Sequence, residues 1–381
     1  MDDSHCFYLS DTVEWNVSET TRRTMTSIAA QPIKFGFIGA GFIGQLAHIA
    51  NYAQVEGCEL YALAEIRPEL RRKVLHRYGF QKGYANHREL LADPDVEAVV
   101  VVTPRPQTGP IALECLKTGR HVLTEKPMAH TWSQAQQLVS VAHENGVVYA
   151  VGYMKRHDEG VQMAKTLLDQ AVQSGEFGQI IFARAHCFMG DSYCQCDGHI
   201  TTAEEVCYPD HSAWTIAPDW LPRHLHRDFA WFLNVYGHNI NLLRYLLDKT
   251  PDVTFARLND QKGQITVFEW GHFPAILESG RFEYRGWDEI TEIYFERARV
   301  RIQTPPPLLR NVPARIELYK GSGATHEILS PQSNWTWSFR RQAEAFINDI
   351  RIGSKPLASG SDSEEDLRLV EKIWRIYLHT L

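Results

Sequence analysis

Apolar residues follow two rhythms along this chain, and the rhythm changes near residue 150. Before that point, short continuous apolar runs, typical of strands buried on both faces, alternate with stretches of helical periodicity. Residues 34–44 read as an apolar strand entering a glycine turn, with a helix-compatible segment up to residue 52. Residues 60–64 give a second strand, a helical stretch follows to about residue 78, and residues 84–91 read as a short helix. The run 98–102, one Ala and four Val, is a strand buried throughout and ends at Thr103-Pro104. A helix over 110–118 closed by Gly119, a strand over 121–124, a helix over 133–145 and a strand over 147–151 continue the alternation. Such alternation predicts a doubly wound parallel sheet.

From about residue 180 the strands follow one another instead: 180–188, 253–259, 264–270, 275–282, 289–295, 299–303 and 315–319. They predict a large, mostly antiparallel sheet with one face on helices and the other open. Two amphipathic helices, 337–351 and 363–377, end the chain around a loop over 353–360.

The first glycine turn carries chemistry. Gly39-Ala40-Gly41-Phe42-Ile43-Gly44 has the G-x-G-x-x-G spacing, in which Gly39 makes the tight turn, Gly41 admits a pyrophosphate, and Gly44 packs helix on strand. A helix N-terminus then favours the negative charge. Glycine turns of this spacing also occur as plain structure, so context decides. Here a strand precedes, a helix follows, and Glu65 ends the second strand, where an acid reads the ribose diol of NAD. A carboxylate there repels a 2′-phosphate, so NAD is expected over NADP. Arg67 is the competing feature, either a partner for a 2′-phosphate or a solvated residue at a helix start. The fold class is thus α/β: an N-terminal Rossmann domain with a doubly wound parallel sheet, then a C-terminal α/β domain with an open-faced sheet. The expected divisions are a polar extension over 1–31, a dinucleotide-binding domain over 32–152, and a substrate-binding and oligomerisation domain over 153–381. In that division the C-terminal helices are free to pack back on the first domain.

Composition narrows the function classes. With 381 residues, 44% hydrophobic and 22% charged, the chain can bury two cores. Net charge is −7, without a basic run, so no nucleic-acid surface is expected. No apolar stretch reaches membrane-span length and residues 1–31 lack a signal-type apolar region, so the expected location is cytoplasmic, with no membrane partner. Seven cysteines, an odd number, suit reduced thiols better than a disulfide framework.

The strand into Gly39-x-Gly41-x-x-Gly44, then Glu65, Thr103-Pro104, Gly119-Arg120-His121-Val122, Glu125-Lys126-Pro127 and Gly237-His238 occur in that order. With Phe346, Gly360 and Asp362 near the end, this set resembles the Gfo/Idh/MocA family of NAD(P)-dependent oxidoreductases, from about residue 32 to the C-terminus. The resemblance implies a hydride-transfer site in the cleft between the domains and a homodimer or homotetramer formed through the open sheet face. It assigns the dinucleotide to Gly39, Gly41, Phe42, Ile43 and Gly44, together with Glu65, Thr103, Pro104 and Glu125. The implied substrate is carbohydrate-like: a sugar, nucleotide sugar or cyclitol that exchanges a hydride with NAD(H) at a hydroxyl or ketone carbon.

Lys126 would sit at the carboxyl end of a parallel strand, where ligands bind in such sheets, and its N–H donors suit the charge that develops on the substrate oxygen. The plain alternative is a surface lysine paired with Glu125. By resemblance Lys126 and His238 are the catalytic pair, His238 being the general base in oxidation. Its alternative is a hydrogen-bonded histidine at a helix start. Two departures stand out: Asn234 and Asn241 occupy positions where the family usually has aspartates. Asn234 can orient a hydroxyl but cannot take its proton. After Thr103-Pro104 this chain has Thr108 where many relatives carry histidine, and Arg105 is unusual. Lys155 and Arg156 follow the last parallel strand and are expected to emerge at the cleft as substrate contacts, or to be exposed hinge residues. Cys194, Cys196, His199, Cys207 and His211 crowd one stretch, but Cys194-x-Cys196 is tighter than a zinc knuckle. No metal is expected, and that segment reads as an insertion whose Trp214 and Trp220 cover the cleft. Two other functions remain open: a dinucleotide-binding regulator that has lost turnover, and a redox-neutral enzyme that holds NAD tightly.

Overall fold

The computed structural model describes residues 31–190, 196–206, 213–259 and 261–380. The extension over 1–31 therefore lies, up to residue 30, outside the described residues, as do Cys194, Cys207 and His211.

Strands β1 (Ile33–Ile38), β2 (Cys58–Ala64), β3 (Lys82–Tyr84), β4 (Ala98–Val101), β5 (His121–Thr124) and β6 (Tyr149–Val151) form one parallel sheet in the order β3-β2-β1-β4-β5-β6. The order reverses between β1 and β4, and such a switch point opens a crevice at the carboxyl ends of the strands. Wide helical turns over Gly44–Ile49 lead into α1 (Ala50–Tyr52), and α2 (Pro68–Tyr78), α3 (His87–Leu91), α4 (Arg105–Lys117) and α5 (Trp132–Glu144) make the remaining crossovers. Thr131 and Gln134 close a reciprocal capping box at the start of α5.

After α6 (Glu159–Ser174) come β7 (Ile180–Met189) and α7 (His226–Leu247), then β8 (Asp252–Asn259), β9 (Gly263–Glu269), β10 (Pro274–Arg281), β11 (Trp287–Phe295), β12 (Ala298–Gln303), β13 (Arg315–Ser322) and β14 (Thr325–Leu329). The second sheet runs β14-β13-β12-β11-β7-β10-β9-β8 and is antiparallel except where β7 pairs with β10. Helices α8 (Ser338–Ile352) and α9 (Gly360–His379) return to the first sheet. Phe346 of α8 stands edge-on to Phe35 of β1 at 6.1 Å, and the Val151 N–H of β6 donates to the Ala358 carbonyl just before α9. Trp374 of α9 meets Phe229 and Phe232 of α7 edge-on, so one aromatic cluster ties α9 to α7. Among the described residues no helix is long and apolar enough to cross a membrane.

The parallel sheet and the mostly antiparallel second sheet agree with the sequence reading, and the departures have physical causes. Residues 84–91 are not one helix: Tyr84 ends the three-residue β3, and α3 begins only at His87, capped by the Asn86 side chain on the Glu89 N–H. Three residues are too few for a periodic signal. The helix expected over 110–118 starts at Arg105 and contains Pro110. Proline cannot donate to the carbonyl four residues back, yet that carbonyl, of Pro106, accepts the Trp214 N–H at 2.8 Å. A partner more than a hundred residues away thus offsets the cost of an interior proline. The sequence reading omitted α6 and β14.

Candidate active site

Gly39 has φ of +96°, and a Cβ there would lie 2.2 Å from the Val102 carbonyl oxygen, so this turn excludes every other residue type. A Cβ on Gly44 would lie 2.9 Å from the Gly39 oxygen, whereas one on Gly41 meets nothing within 4 Å. Two glycines therefore close the turn on itself and the middle one faces open space. That is the cradle a pyrophosphate needs, and these residues fit a dinucleotide.

Glu65, 4% exposed, follows β2, and one carboxylate oxygen accepts the Ala40 N–H at 2.9 Å. Arg67 is not a solvated helix-start residue. It grips both Glu65 oxygens, at 2.8 and 3.1 Å. Thr103 lies just beyond β4, and its hydroxyl is 3.2 Å from that of buried Thr108. Glu125 follows β5 and binds buried His48, a residue the sequence reading missed, at 2.8 Å. Burial opposes the charge of Glu125, but the His48 contact and the neighbouring Lys126 hold it below the usual carboxylate range.

A cavity of about 270 Å³ opens at the ends of β4 and β5, and its lining includes Ile43, Thr103, Glu125, Lys126, Lys155, Asn234 and His238. The Lys126–Pro127 bond is cis. The Lys126 ammonium donates to the Asn234 backbone oxygen at 2.9 Å and to its side-chain oxygen at 3.1 Å. Desolvation lowers Lys126 to about 8, with Arg105 and Lys155 pushing the same way against Glu125. His238 lies one turn beyond Asn234 on α7, edge-on to the Tyr153 ring, and its Nδ1 has no hydrogen-bond partner among the described residues. Desolvation, then Lys126 and Lys155, hold it well below 6.5, so the imidazole is neutral at physiological pH.

Lys155 and Arg156 part company. Lys155 lines the cavity and is paired with Glu289, itself only 1% exposed and also bound by Asn239 at 2.7 Å. Arg156 does not reach the cavity. It points the other way, bonding Asn241 at 2.7 Å and Asp362 at 2.6 Å, so its expected role as a substrate contact is corrected. Both residues lie on the single 3-10 turn Met154–His157, where each step rotates the side chain by about 120° and consecutive residues cannot share a face. Asn241 serves this buried network, donating to Asp366, rather than the cleft.

Trp214 and Trp220 do not line the cavity either. Trp214 packs over Gly109 of α4, and Trp220 is stacked on Arg375 at 3.9 Å. Trp287, opposite Met189, and Phe339 are aromatic walls of the cavity, with Cys187 two residues from Met189 along β7 on the same face. Cys196 and His199 lie in residues 196–206, which cross the glycine turn: His199 stands edge-on to Phe42 at 4.9 Å, and Gln45 exchanges two hydrogen bonds with the Ile200 backbone, at 2.8 and 3.0 Å. Among the described residues no three His, Cys, Asp or Glu side chains gather as a metal site.

Residues 33–153 match the family model described as the oxidoreductase family with an NAD-binding Rossmann fold, GFO_IDH_MocA. That match places the Rossmann part of the chain with the Gfo/Idh/MocA oxidoreductases. Over 350 residues the chain is 22% identical to a myo-inositol 2-dehydrogenase of Thermotoga maritima, covering 88% of this chain and 94% of that protein. An inositol 2-dehydrogenase/D-chiro-inositol 3-dehydrogenase of Shouchella clausii is 37% identical over 142 residues, 36% of this chain and 40% of that protein. The structure of a levoglucosan dehydrogenase in complex with NADH and levoglucosan shares the fold, with a TM-score of 0.72 at 18% identity over 92% of this chain and 98% of that one.

Proposed function

We propose that this chain, whose Rossmann part matches the Gfo/Idh/MocA oxidoreductases, is an NAD-dependent dehydrogenase acting on a CH–OH group of a sugar or cyclitol. The observation that carries the reading is the meeting, in one cavity, of Lys126, Asn234 and His238 with the residues that edge the dinucleotide turn. NAD, when bound, supplies the hydride acceptor. Lys126 donates to the substrate oxygen as negative charge develops there, and the neutral His238 imidazole takes the hydroxyl proton. Asn234 holds the Lys126 ammonium through two oxygens without adding a charge. Lys155, fixed by Glu289, points donors at neighbouring hydroxyls. At about 270 Å³ the cavity is at the small end of ligand pockets, which favours a single ring over a nucleotide sugar, and Trp287 offers that ring's C–H face a stacking wall. The related dehydrogenases of inositol and levoglucosan support the same substrate class. The outer face of the second sheet, which exposes Phe255, Tyr319 and Ile328, is the proposed homo-oligomer surface.

The test is NADH formation with myo-inositol, levoglucosan and simple aldoses. Turnover of one of these is expected, and binding of NAD without turnover of any would instead favour a regulator that has lost catalysis. The segment 196–206 across the glycine turn supports a second reading, in which NAD stays bound and the hydride returns to the product. In that case the purified protein carries a nicotinamide absorption before any cofactor is added. Glu65→Ala is expected to weaken NAD(H) binding and narrow its preference over NADP(H) in a titration, since the diol acceptor and its repulsive charge go together. An unchanged preference would remove Glu65 from cofactor selection.

A further inference from the structure

A second carboxylate lies on the cofactor side of the cleft, and it comes from far away in the chain. Glu204 reaches across to the start of α2, where its two oxygens accept the Glu69 N–H at 2.8 Å and the Leu70 N–H at 2.9 Å. The Thr202 hydroxyl donates to it at 2.9 Å. Partial burial opposes its charge, but these donors and the nearby Arg67 keep the carboxyl below the usual carboxylate range. The stretch that carries it is anchored along its length, by His199 on Phe42, Ile200 on Gln45, and the Gly198 carbonyl on Arg77 at 2.8 Å.

The place Glu204 fills has a definite chemistry. The N-terminal N–H groups of an 11-residue helix attract anions, and α2 begins three residues after Glu65, the acid that reads the ribose diol. A 2′-phosphate grows from the oxygen that such an acid recognises, so α2 and Arg67 are the donors it would use. In this chain both are taken. Arg67 forks onto Glu65, and the α2 N–H groups hold the Glu204 carboxylate. We propose that Glu204 is a specificity-determining residue that occupies the 2′-phosphate seat with a carboxylate and so selects NAD over NADP. Selection then has two parts: Glu65 accepts the diol, and Glu204 excludes the phosphate by filling its seat and repelling its charge. The inference rests on the reading of the turn as a dinucleotide site.

The test titrates NAD and NADP into the full chain by protein fluorescence, for wild type, Glu204→Gln, Glu204→Ala and, as a control, the exposed neighbour Glu205→Ala. Glutamine keeps the size and an acceptor oxygen while losing the charge, so it separates repulsion from loss of the anchor. In both Glu204 variants Kd(NADP)/Kd(NAD) is expected to fall about tenfold or more through tighter NADP binding, with the Glu205→Ala ratio at the wild-type value. An unchanged ratio in both Glu204 variants overturns the proposal, and so does equal weakening of the two dinucleotides, which would make Glu204 an anchor only. Wild-type protein that binds neither dinucleotide would instead overturn the dehydrogenase reading itself.

Discussion

Replacing Lys126 or His238 by alanine is expected to cut turnover about 100-fold or more while NAD(H) affinity stays close to wild type. Both side chains face the cavity, and neither belongs to the glycine turn or to the Glu65 network that would hold the dinucleotide. Their states are also complementary. Lys126 keeps a proton up to about pH 8, whereas His238 loses its proton well below 6.5. At neutral pH the cavity therefore holds a charged donor and an uncharged acceptor, the pair that alcohol oxidation requires. Activity undiminished by both replacements would refute the site.

The pH profile checks the division of labour. His238 is in its accepting form across the neutral range, so kcat/KM for oxidation is expected to be level there and to fall above about pH 8, as Lys126 gives up its charge. Asn234→Asp refines the test. A carboxylate where the amide oxygen now lies 3.1 Å from the ammonium would favour the charged lysine, moving the high-pH limb up by about one unit or more. A wild-type rate that climbs steadily through pH 9 would reverse the roles, making the neutral Lys126 amine the base.

What could be read from sequence alone follows how local each cause is. The glycine turn was legible because its demands, a positive φ at Gly39 and close packing at Gly44, arise within six residues. Five of the six parallel strands announced themselves as short apolar runs, β3 being too short to do so, and Lys126 and His238 came with the ordered motifs. The cavity's far wall was hidden. Trp287 and Glu289 face the site because β11 pairs with β7 about a hundred residues earlier, bringing Trp287 opposite Met189 and Glu289 opposite Cys187. No pattern within either strand states that register. The same holds for the Trp214 N–H that satisfies Pro106 and for Glu204 on α2, each a contact between segments more than a hundred residues apart.

Arg156 puts this distinction to an energetic test. Arg156→Met is expected to destabilise the fold by about 3 kcal/mol, while KM and NAD(H) affinity of the folded protein stay at wild-type values. The guanidinium, with only 4% of the side chain exposed, bonds both oxygens of Asn241, the Leu357 carbonyl and Asp362. Methionine fills much of the volume but leaves the Asn241 and Leu357 acceptors without their donor, and such orphaned groups cost about 1–3 kcal/mol each when buried. Asp362 keeps Arg244 at 3.0 Å and is 27% exposed, which holds the loss near the lower end for a broken buried pair. The affected contacts join the Met154–His157 turn to α7, to the loop before α9 and to α9 itself, so the loss should register as a lower unfolding temperature. A raised KM with unchanged thermal unfolding would return Arg156 to the cleft as a substrate contact and refute its role in this buried network.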